Sequence, residues 1–198
     1  QAVIFNHVDG AKMLLENEAN IEATDNKGMT SLHFARSEAM VKFLIKNGAV
    51  VNSLATDKTT PLHYASNKEI AMLLIDSEAN INVKDADGST PLHWAASSRA
   101  DVAKELITAG ANLNIKDSSG LTPLDNANDE SRALLLKKGA KMGNQLVMLE
   151  YDLVNRELII NGVAGKTYSI EHSINLLNWK ILTSITMDSA ITVYSNNS

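Results

Sequence analysis

A six-residue pattern recurs at almost constant spacing along the first two thirds of this chain. Its copies occupy Thr30–Ala35, Thr60–Ala65, Thr90–Ala95 and Thr122–Ala127. The first three copies begin 30 residues apart, and the fourth begins 32 residues after the third. A period of roughly 20–50 residues is typical of stacked repeats, in which each unit buries its apolar face against its neighbours. The spacing therefore predicts a solenoid, an architecture that usually works by presenting a surface.

The third copy indicates how each unit is built. Asp85 and Gly88 suit a tight turn, whereas Thr90 and Pro91 suit the N-cap and the first position of a helix. The chain has 3 prolines, and each of them follows the first threonine of a copy. We predict a short helix over about 91–97 and a second helix over about 100–109, ended by a left-handed glycine, Gly110.

The residue that ends the second helix is not glycine in every unit. Glycine holds this position in three units, but Glu18 and Glu78 replace it in the other two. A left-handed conformation costs a residue with a Cβ atom about 1 kcal/mol, so we expect strained or altered helix ends there. Lys58 replaces the turn glycine in one unit, and we expect the hairpin around it to have a different shape.

Taken together, these motifs resemble the ankyrin repeat. They are Asp85, Gly88 and Thr90–Ala96, followed after a helix by Gly110–Asn114. The resemblance covers residues 1–143 as about five units, the first truncated, and implies an α solenoid of helix-turn-helix units joined by turns. The family repeat is about 33 residues long. The shorter units therefore lack residues between their helices, near 36–38 and 66–68, which alters the expected geometry there.

Three histidines, His33, His63 and His93, occupy the same position in successive units. Stacked helical units lie about 8–10 Å apart, whereas a zinc–nitrogen bond is about 2 Å long, so the three cannot share one ion. The resemblance implies instead that each histidine is a hydrogen-bonding strut between turns. We predict no metal and no cofactor.

Composition and motifs exclude several other classes of protein. The net charge is −5, and acidic and basic residues are interleaved along the chain. The sequence therefore lacks the basic stripe of a nucleic-acid binder. No apolar run approaches the roughly 20 residues that span a bilayer, so we predict no membrane insertion. The chain contains no cysteine, and its sequence has no nucleophile elbow or phosphate-binding loop. We therefore predict a non-enzymatic protein-interaction scaffold.

The predicted binding residues follow from the resemblance, because ankyrin-repeat proteins commonly bind a protein partner with their turn tips and the exposed side of the first helix. At the turn tips these are Asn26, Lys27, Met29, Thr56, Asp57, Thr59, Ala86, Asp87 and Ser89. Beside the first helices they are Arg36, Asn67, Ser97, Ser98 and Arg99. Trp94 shares a position with Phe34 and Tyr64; these rings either contact a partner or pack between repeats.

Residues 144–198 follow a different pattern. The apolar period changes to 2, which predicts an all-β module. Gly165–Ser173 and Asn175–Trp179 resemble a fibronectin type III-like β-sandwich module of exported bacterial proteins, here expected to be incomplete. This resemblance favours a secreted or cell-surface location, with a cytoplasmic one as the alternative.

Two other functions stay open at the level of sequence. The repeats could be a structural spacer that carries the β module as a cell-surface or export-associated anchor. Both modules could also be accessories of an enzyme encoded upstream, since the chain begins at Gln1 and we expect it to be part of a longer protein. The sequence does not indicate an oligomeric state.

Overall fold

A computed structural model of the chain describes Val3, residues 6–143 and the backbone of five strands between residues 148 and 195. The chain divides into two compact units, Gln1–Gly143 and Asn144–Ser198. Each unit is described by itself below.

The first unit is a stack of paired helices. Each repeat contains a second helix of 9 residues, and a shorter first helix precedes it in the copies that begin at Thr30, Thr60 and Thr90. The elements are α1 (Val8–Glu16), α2 (Ser31–Phe34), α3 (Glu38–Lys46), a 3₁₀ helix (Pro61–Tyr64), α4 (Lys68–Asp76), α5 (Pro91–Ser98), α6 (Ala100–Thr108) and α7 (Asp129–Lys137). The predicted α solenoid is confirmed.

The helices form two rows that run along the stack. The second helices pack in the order α1, α3, α4, α6 and α7, while α2, the 3₁₀ helix and α5 pack in a parallel row. The core lies between the rows, where Leu44, Leu74, Leu106 and Leu135 occupy one recurring position and are each at most 2% exposed. Leu14 holds the same position in the first repeat but is 54% exposed, because the described part of that repeat supplies no first helix to cover it.

Small alanines allow the two rows to approach closely. Ala65 directly follows the 3₁₀ helix, Ala95 and Ala96 lie within α5, and all three are at most 1% exposed. Burial of apolar surface at about 25 cal/mol per Å² drives this packing, and a side chain larger than alanine would separate the rows. The sequence pattern therefore fixes both the apolar positions and the spacing between the layers.

The helix ends predicted to be strained are left-handed but otherwise unaltered. Glu18 and Glu78 have φ angles of 61° and 65°. The N–H of Glu78 donates to the carbonyl of Ile75 at 3.0 Å, as the N–H of Gly48 donates to Ile45 at 3.0 Å. Glu18 and Glu78 therefore keep the strained left-handed conformation, because the hydrogen bonds that close the helix require the same backbone conformation in every repeat.

Polar side chains near the end of each repeat tie it to the next one. The carboxylate of Glu22 accepts from the N–H of Val50 at 3.0 Å. Asparagine takes the same role in the three later repeats, where Asn52, Asn82 and Asn114 accept from the N–H groups of Asn80, Asn112 and Lys141 at 2.7–2.8 Å. These contacts fix the register of neighbouring repeats on the side of the second helices.

The second unit contains five strands: β1 (Met148–Asp152), β2 (Glu157–Asn161), β3 (Thr167–Ser173), β4 (Trp179–Thr186) and β5 (Ile191–Ser195). Antiparallel pairing gives a three-stranded sheet in the order β1-β2-β5 and a separate β3-β4 pair. Gly165 and residues 175–178 of the fibronectin-like motif lie outside the described residues, so the assignment to that class of module stays a prediction. In the described part of the chain, no helix is long and apolar enough to cross a membrane.

The cost of a left-handed glutamate can be measured directly. We expect Glu78→Gly to raise the free energy of unfolding by about 0.5–1 kcal/mol, because glycine removes the Cβ clash but gains more backbone entropy on unfolding. The matched change is Gly48→Ala, since a Cβ atom there meets no atom within 4 Å and only the left-handed strain is added. Urea unfolding followed by circular dichroism at 222 nm would give both values. Equal stability of Gly48→Ala and the parent chain would contradict the strain argument.

Candidate protein-interaction surface

The in-register histidines bridge consecutive repeats. Nδ1 of His63 accepts the N–H of Thr60 at 3.1 Å and lies 3.0 Å from the hydroxyl of that threonine. Nε2 of His63 lies 3.3 Å from the carbonyl oxygen of Ser89, at the start of the following repeat. His33 makes the same contacts with Thr30 and the carbonyl of Thr59, and His93 repeats them with Thr90 and Leu121. The predicted strut is confirmed.

These contacts determine the protonation state of each ring. A carbonyl oxygen only accepts hydrogen bonds, so Nε2 carries the hydrogen, and Nδ1 is unprotonated because it accepts from threonine. Burial lowers the pKa of His33, His63 and His93 below the ordinary value of 6.5, more strongly than the carbonyl hydrogen bonds raise it. Both nitrogens are committed, and among the described residues no three metal-binding side chains converge.

The fourth threonine copy replaces this histidine with Asp125. One carboxylate oxygen accepts from the N–H and hydroxyl of Thr122 at 2.7 and 2.8 Å and from the N–H of Gly143 at 2.7 Å. Burial opposes ionisation here, but the hydrogen bonds from Gly143 and Thr122 outweigh it and lower the pKa of Asp125 below 3.8. Position 125 needs a hydrogen-bond acceptor because the backbone opposite it presents the N–H of Gly143. In the other repeats the backbone opposite the histidine presents a carbonyl.

Gly143 closes this end of the stack. A Cβ atom on Gly143 would lie 2.2 Å from the carbonyl oxygen of Gly120 and 2.6 Å from the nitrogen of Thr122. The hydroxyl oxygen of Thr122 also lies 2.8 Å from the carbonyl oxygen of Lys141. Lys141 and Gly143 therefore lie directly against the last turn, and only glycine fits at position 143.

The turn tips are joined through their backbones. The N–H groups of Thr56, Ala86 and Ser118 donate to the carbonyls of Lys27, Asp57 and Asp87 in the preceding repeat at 2.7–2.8 Å. Exposed predicted tip residues are Asn26, Lys27, Thr56, Asp57, Ala86 and Asp87, with Ser89 partly exposed.

Two predicted tip residues are not on the surface. Thr59 is 1% exposed, and its hydroxyl donates to Asp57 at 2.6 Å. Met29 is 8% exposed and faces an apolar cavity that Leu14 and Phe34 also line. Each lies directly before the helix-capping threonine, where the chain has already turned inward, so their prediction as accessible binding residues was wrong.

The hairpin at Lys58 was also predicted incorrectly. Lys58 has a φ angle of 62°, and its N–H donates to the carbonyl of Ala55 at 2.9 Å, which matches the turns that contain glycine. In the other turns the first residue is an aspartate whose carboxylate binds two N–H groups, as Asp85 does. Asp57 replaces that carboxylate here by accepting from the hydroxyl and N–H of Thr59. The hydrogen bond from the Thr59 hydroxyl is the main cause that lowers the pKa of Asp57. The hydrogen bond from the Thr59 N–H also lowers this pKa, although burial opposes both.

Unequal first helices create a groove in the other row. The 3₁₀ helix has 4 residues and α5 has 8, and the last copy makes only a turn at Pro123–Asn126. The shorter units confirm that residues are missing between their helices. A cavity of about 590 Å³ lies beside the end of α5. This groove is lined by Arg36, His63, Tyr64, Ser66, Ser89, His93, Trp94, Ser97, Ser98, Arg99, Asp117, Thr122, Pro123 and Asn126.

Two arginines cap the shortened helices from within the groove. Nη1 of Arg99 donates to the carbonyls of Ala65 at 2.6 Å and His63 at 3.2 Å. Nη1 of Arg36 donates to His33 at 3.0 Å and lies 3.5 Å from the carbonyl of Tyr64. A one-turn helix leaves its last carbonyls without helical partners, and the guanidinium groups fill that role.

The aromatic rings pack between repeats and also line the groove. The ring centroids of Tyr64 and Trp94 lie 5.3 Å apart with planes at 72°, and His63 lies 5.6 Å from Trp94 at 74°. The indole N–H of Trp94 donates to Asp85 at 3.0 Å. Edge-to-face contacts of this kind are favourable, so packing between repeats is confirmed for Tyr64 and Trp94, and their contact with a partner stays a prediction. Phe34 packs against the core instead.

The structure brings together six of the predicted site residues, which all line the groove: Arg36, Ser89, Trp94, Ser97, Ser98 and Arg99. Asn67 is instead the N-cap of α4 and accepts from the N–H of Ile70 at 2.9 Å. Sequence reasoning missed Ser66 and the convergence of the two arginines. The shortened helices were the available signal, because orphan carbonyls require donors.

The histidine bridges predict a pH dependence of stability. The folded state holds these rings neutral with a lowered pKa, so the unfolded state binds more protons below pH 6.5 and stability rises with pH there. We expect the free energy of unfolding to be constant above about pH 7.5 and to fall steadily from 6.5 to 5. Asp57 and Asp125 contribute only below their ordinary value of 3.8. Urea titrations at five pH values would measure the slope.

Variants assign the slope to its source. His63→Gln should reduce it by roughly one third, because one of three coupled sites no longer titrates. His7→Gln, at an exposed position away from the bridges, should retain the parent slope. A pH-independent stability between 7 and 5 would show that the bridges do not require neutral rings.

Comparison with known families identifies the repeats. The family model described as ankyrin repeats, in three copies, matches residues 1–85, 37–117 and 66–145. A search of curated proteins found no match. The matched segments end at residue 145, so they do not bear on the β strands that follow. Since they span well over half of the chain, it is a member of the ankyrin-repeat family.

Proposed function

We propose that the chain is a non-enzymatic scaffold that presents its turn tips and its groove to a protein partner. The observation that carries this proposal is the contrast at the tips between fixed backbone and free side chains. The backbones of Thr56 and Ala86 are held by the preceding repeat at 2.7–2.8 Å. The side chains of Lys27 and Asp87 are exposed beside them.

A fixed backbone favours binding because little conformational entropy remains to be lost when a partner docks. Histidine bridges, asparagine contacts and tip bonds link each repeat to the next at three separate places. The surface is therefore already ordered before binding, and its variable side chains determine which partner fits. Ankyrin-repeat proteins generally act as protein-interaction modules, in agreement with this reading.

The proposal of a non-enzymatic role rests on how the candidate catalytic groups are used. His33, His63 and His93 have both ring nitrogens in structural hydrogen bonds. A histidine in such a bridge acts as a general base only after the repeat contact breaks. Asp85 and Asp125 are likewise bound to N–H groups that hold turns in place.

Binding through the tips can be tested with a charge-matched control. The tip variant is Lys27→Ala, Thr56→Ala and Asp87→Ala; Asp57 is left intact because it holds Thr59. The control is Lys104→Ala, Thr108→Ala and Glu130→Ala, at exposed positions of the second helices. We expect the tip variant to weaken capture of a cross-linked partner at least about tenfold, since interface hot spots each contribute about 2 kcal/mol. Capture unchanged by the tip variant, or equally weakened by the control, would contradict the proposal.

The C-terminal sequence motif supports a second proposal, in which residues 144–198 anchor or sort the protein and the repeats act as a spacer. We expect the full chain to be recovered from the envelope or medium of an expressing bacterium. The shorter chain that ends at Gly143, expressed in the same way, should remain in the cytoplasm. Fractionation measures this, and an identical distribution of both chains would rule out a sorting role.

A further inference from the structure

We propose that the groove takes an acidic segment of the protein partner, with one carboxylate held between the guanidinium groups of Arg36 and Arg99. This inference rests on the proposed function, because it names the chemistry of the partner for part of the same surface. It goes further in assigning the residues that select the partner's charge.

The two arginines reach the groove from different repeats and meet at one helix end. Arg36 follows α2 and Arg99 follows α5, yet both contact the carbonyls at the end of the 3₁₀ helix. Arg36 lies 3.5 Å from the carbonyl oxygen of Tyr64, and Arg99 lies 2.6 Å from that of Ala65. Carbonyls of adjacent residues therefore bring two positive charges close together.

Each guanidinium group keeps donors for a ligand. The described hydrogen bonds of Arg36 all use Nη1, which leaves the edge formed by Nε and Nη2 without a described partner. Arg99 uses Nη1 and one Nη2 hydrogen, so its Nε has none either. Two adjacent N–H groups on one edge match the two oxygens of a carboxylate. The bonds to carbonyls also hold the planes in position before a ligand arrives.

No carboxylate of the described chain forms an ion pair with either arginine at this end of the groove. The described ion pairs all involve lysine, namely Lys12, Lys42 and Lys68. Burial, and then the charge of Arg36, lower the pKa of Arg99, and the carboxylate of Asp101 offsets only part of this effect. The two arginine cations therefore repel one another. The groove aspartate, Asp117, accepts the N–H groups of Ser119 and Leu121. An incoming anion relieves the repulsion between the arginines.

The remainder of the groove fits a peptide better than a free anion. A volume of about 590 Å³ lies in the range of sites for molecules of many atoms. Beside the arginines lie the half-buried rings of Tyr64 and Trp94 and the exposed Ser66 and Ser98. Rings and hydroxyl groups accommodate the residues next to an acidic side chain, and the proposed function already requires a protein partner, which can supply such a segment.

Three peptide pools test this assignment on the full chain. Each pool consists of fluorescently labelled, amidated octapeptides that are randomised without Asp or Glu except at one central residue, which is Glu, Gln or phosphoserine. We expect the Glu pool to bind about tenfold more tightly than the Gln pool by fluorescence anisotropy, the effect of a charge-assisted pair. Arg36→Gln should remove this preference, whereas Lys104→Gln, on an exposed face of α6 outside the groove, should retain it.

A second variant guards against a folding defect in Arg36→Gln. Ser66→Glu leaves both arginines in place and supplies a competing carboxylate beside them, so it should also remove the preference for Glu. Equal binding of the Glu and Gln pools, or a preference that survives both variants, would overturn the proposal. A phosphoserine pool that binds more tightly than the Glu pool would reject the carboxylate and assign the anion as phosphate.

The outcome separates this inference from the proposed function. If the captured partner is lost in the tip variant but binds Arg36→Gln as it binds the parent, the scaffold role stands and the acidic segment is excluded. If neither variant affects capture, the scaffold surface itself is wrong. Rising salt from 50 to 300 mM should weaken the Glu pool several-fold more than the Gln pool, because screening reduces only the charged contact.

Discussion

The peptide bond that precedes each capping threonine connects the repeats of this protein. Its carbonyl accepts from the histidine of the preceding repeat, and its N–H donates to the histidine of its own repeat, as between Thr59 and Thr60. Hydrogen bonds in such a chain polarise one another and become stronger. The relay runs from His33 through His63 and His93 to Asp125. It ends on a carboxylate, so every donor points toward the negative charge, and a terminal residue that only accepts is the natural stop.

The sequence predicted those parts of the fold that each repeat specifies locally. Threonine and proline mark the helix starts, the recurring leucines mark the core, and the role of His63 followed from its position in the repeat. Compensation between neighbours was not visible in this way. Lys58 was expected to change its hairpin, yet Asp57 supplies the carboxylate that Ala55 lacks and the turn keeps its form. Met29 was expected at the surface because it lies beside a tip, but the chain turns inward one residue earlier than the pattern suggests.

The groove shows why the remainder required three-dimensional information. Arg36 and Arg99 lie in different repeats, and no motif relates them. What brings them together is the loss of a helical turn in the shorter units, which leaves carbonyls at the end of the 3₁₀ helix in need of donors. Arg36 and Arg99 contact these carbonyls and thereby place two positive charges in the groove. A missing segment in the sequence, which first indicated only irregular geometry, marks the position of the most distinctive surface chemistry in the first unit.

The two parts of the proposed binding surface differ in how they are ordered. At the tips the backbone is fixed, but a long side chain such as Lys27 remains free and loses rotamer entropy when it contacts a partner. In the groove the guanidinium groups are already held by carbonyls, and Trp94 is held by Asp85. Fewer degrees of freedom are therefore lost there per contact. This difference favours the groove as the anchor for one charged residue of a partner and the tips as the place where many weaker contacts discriminate between partners. The same arginines cap the helices, so contacts made in the groove act directly on the elements that hold the repeats together.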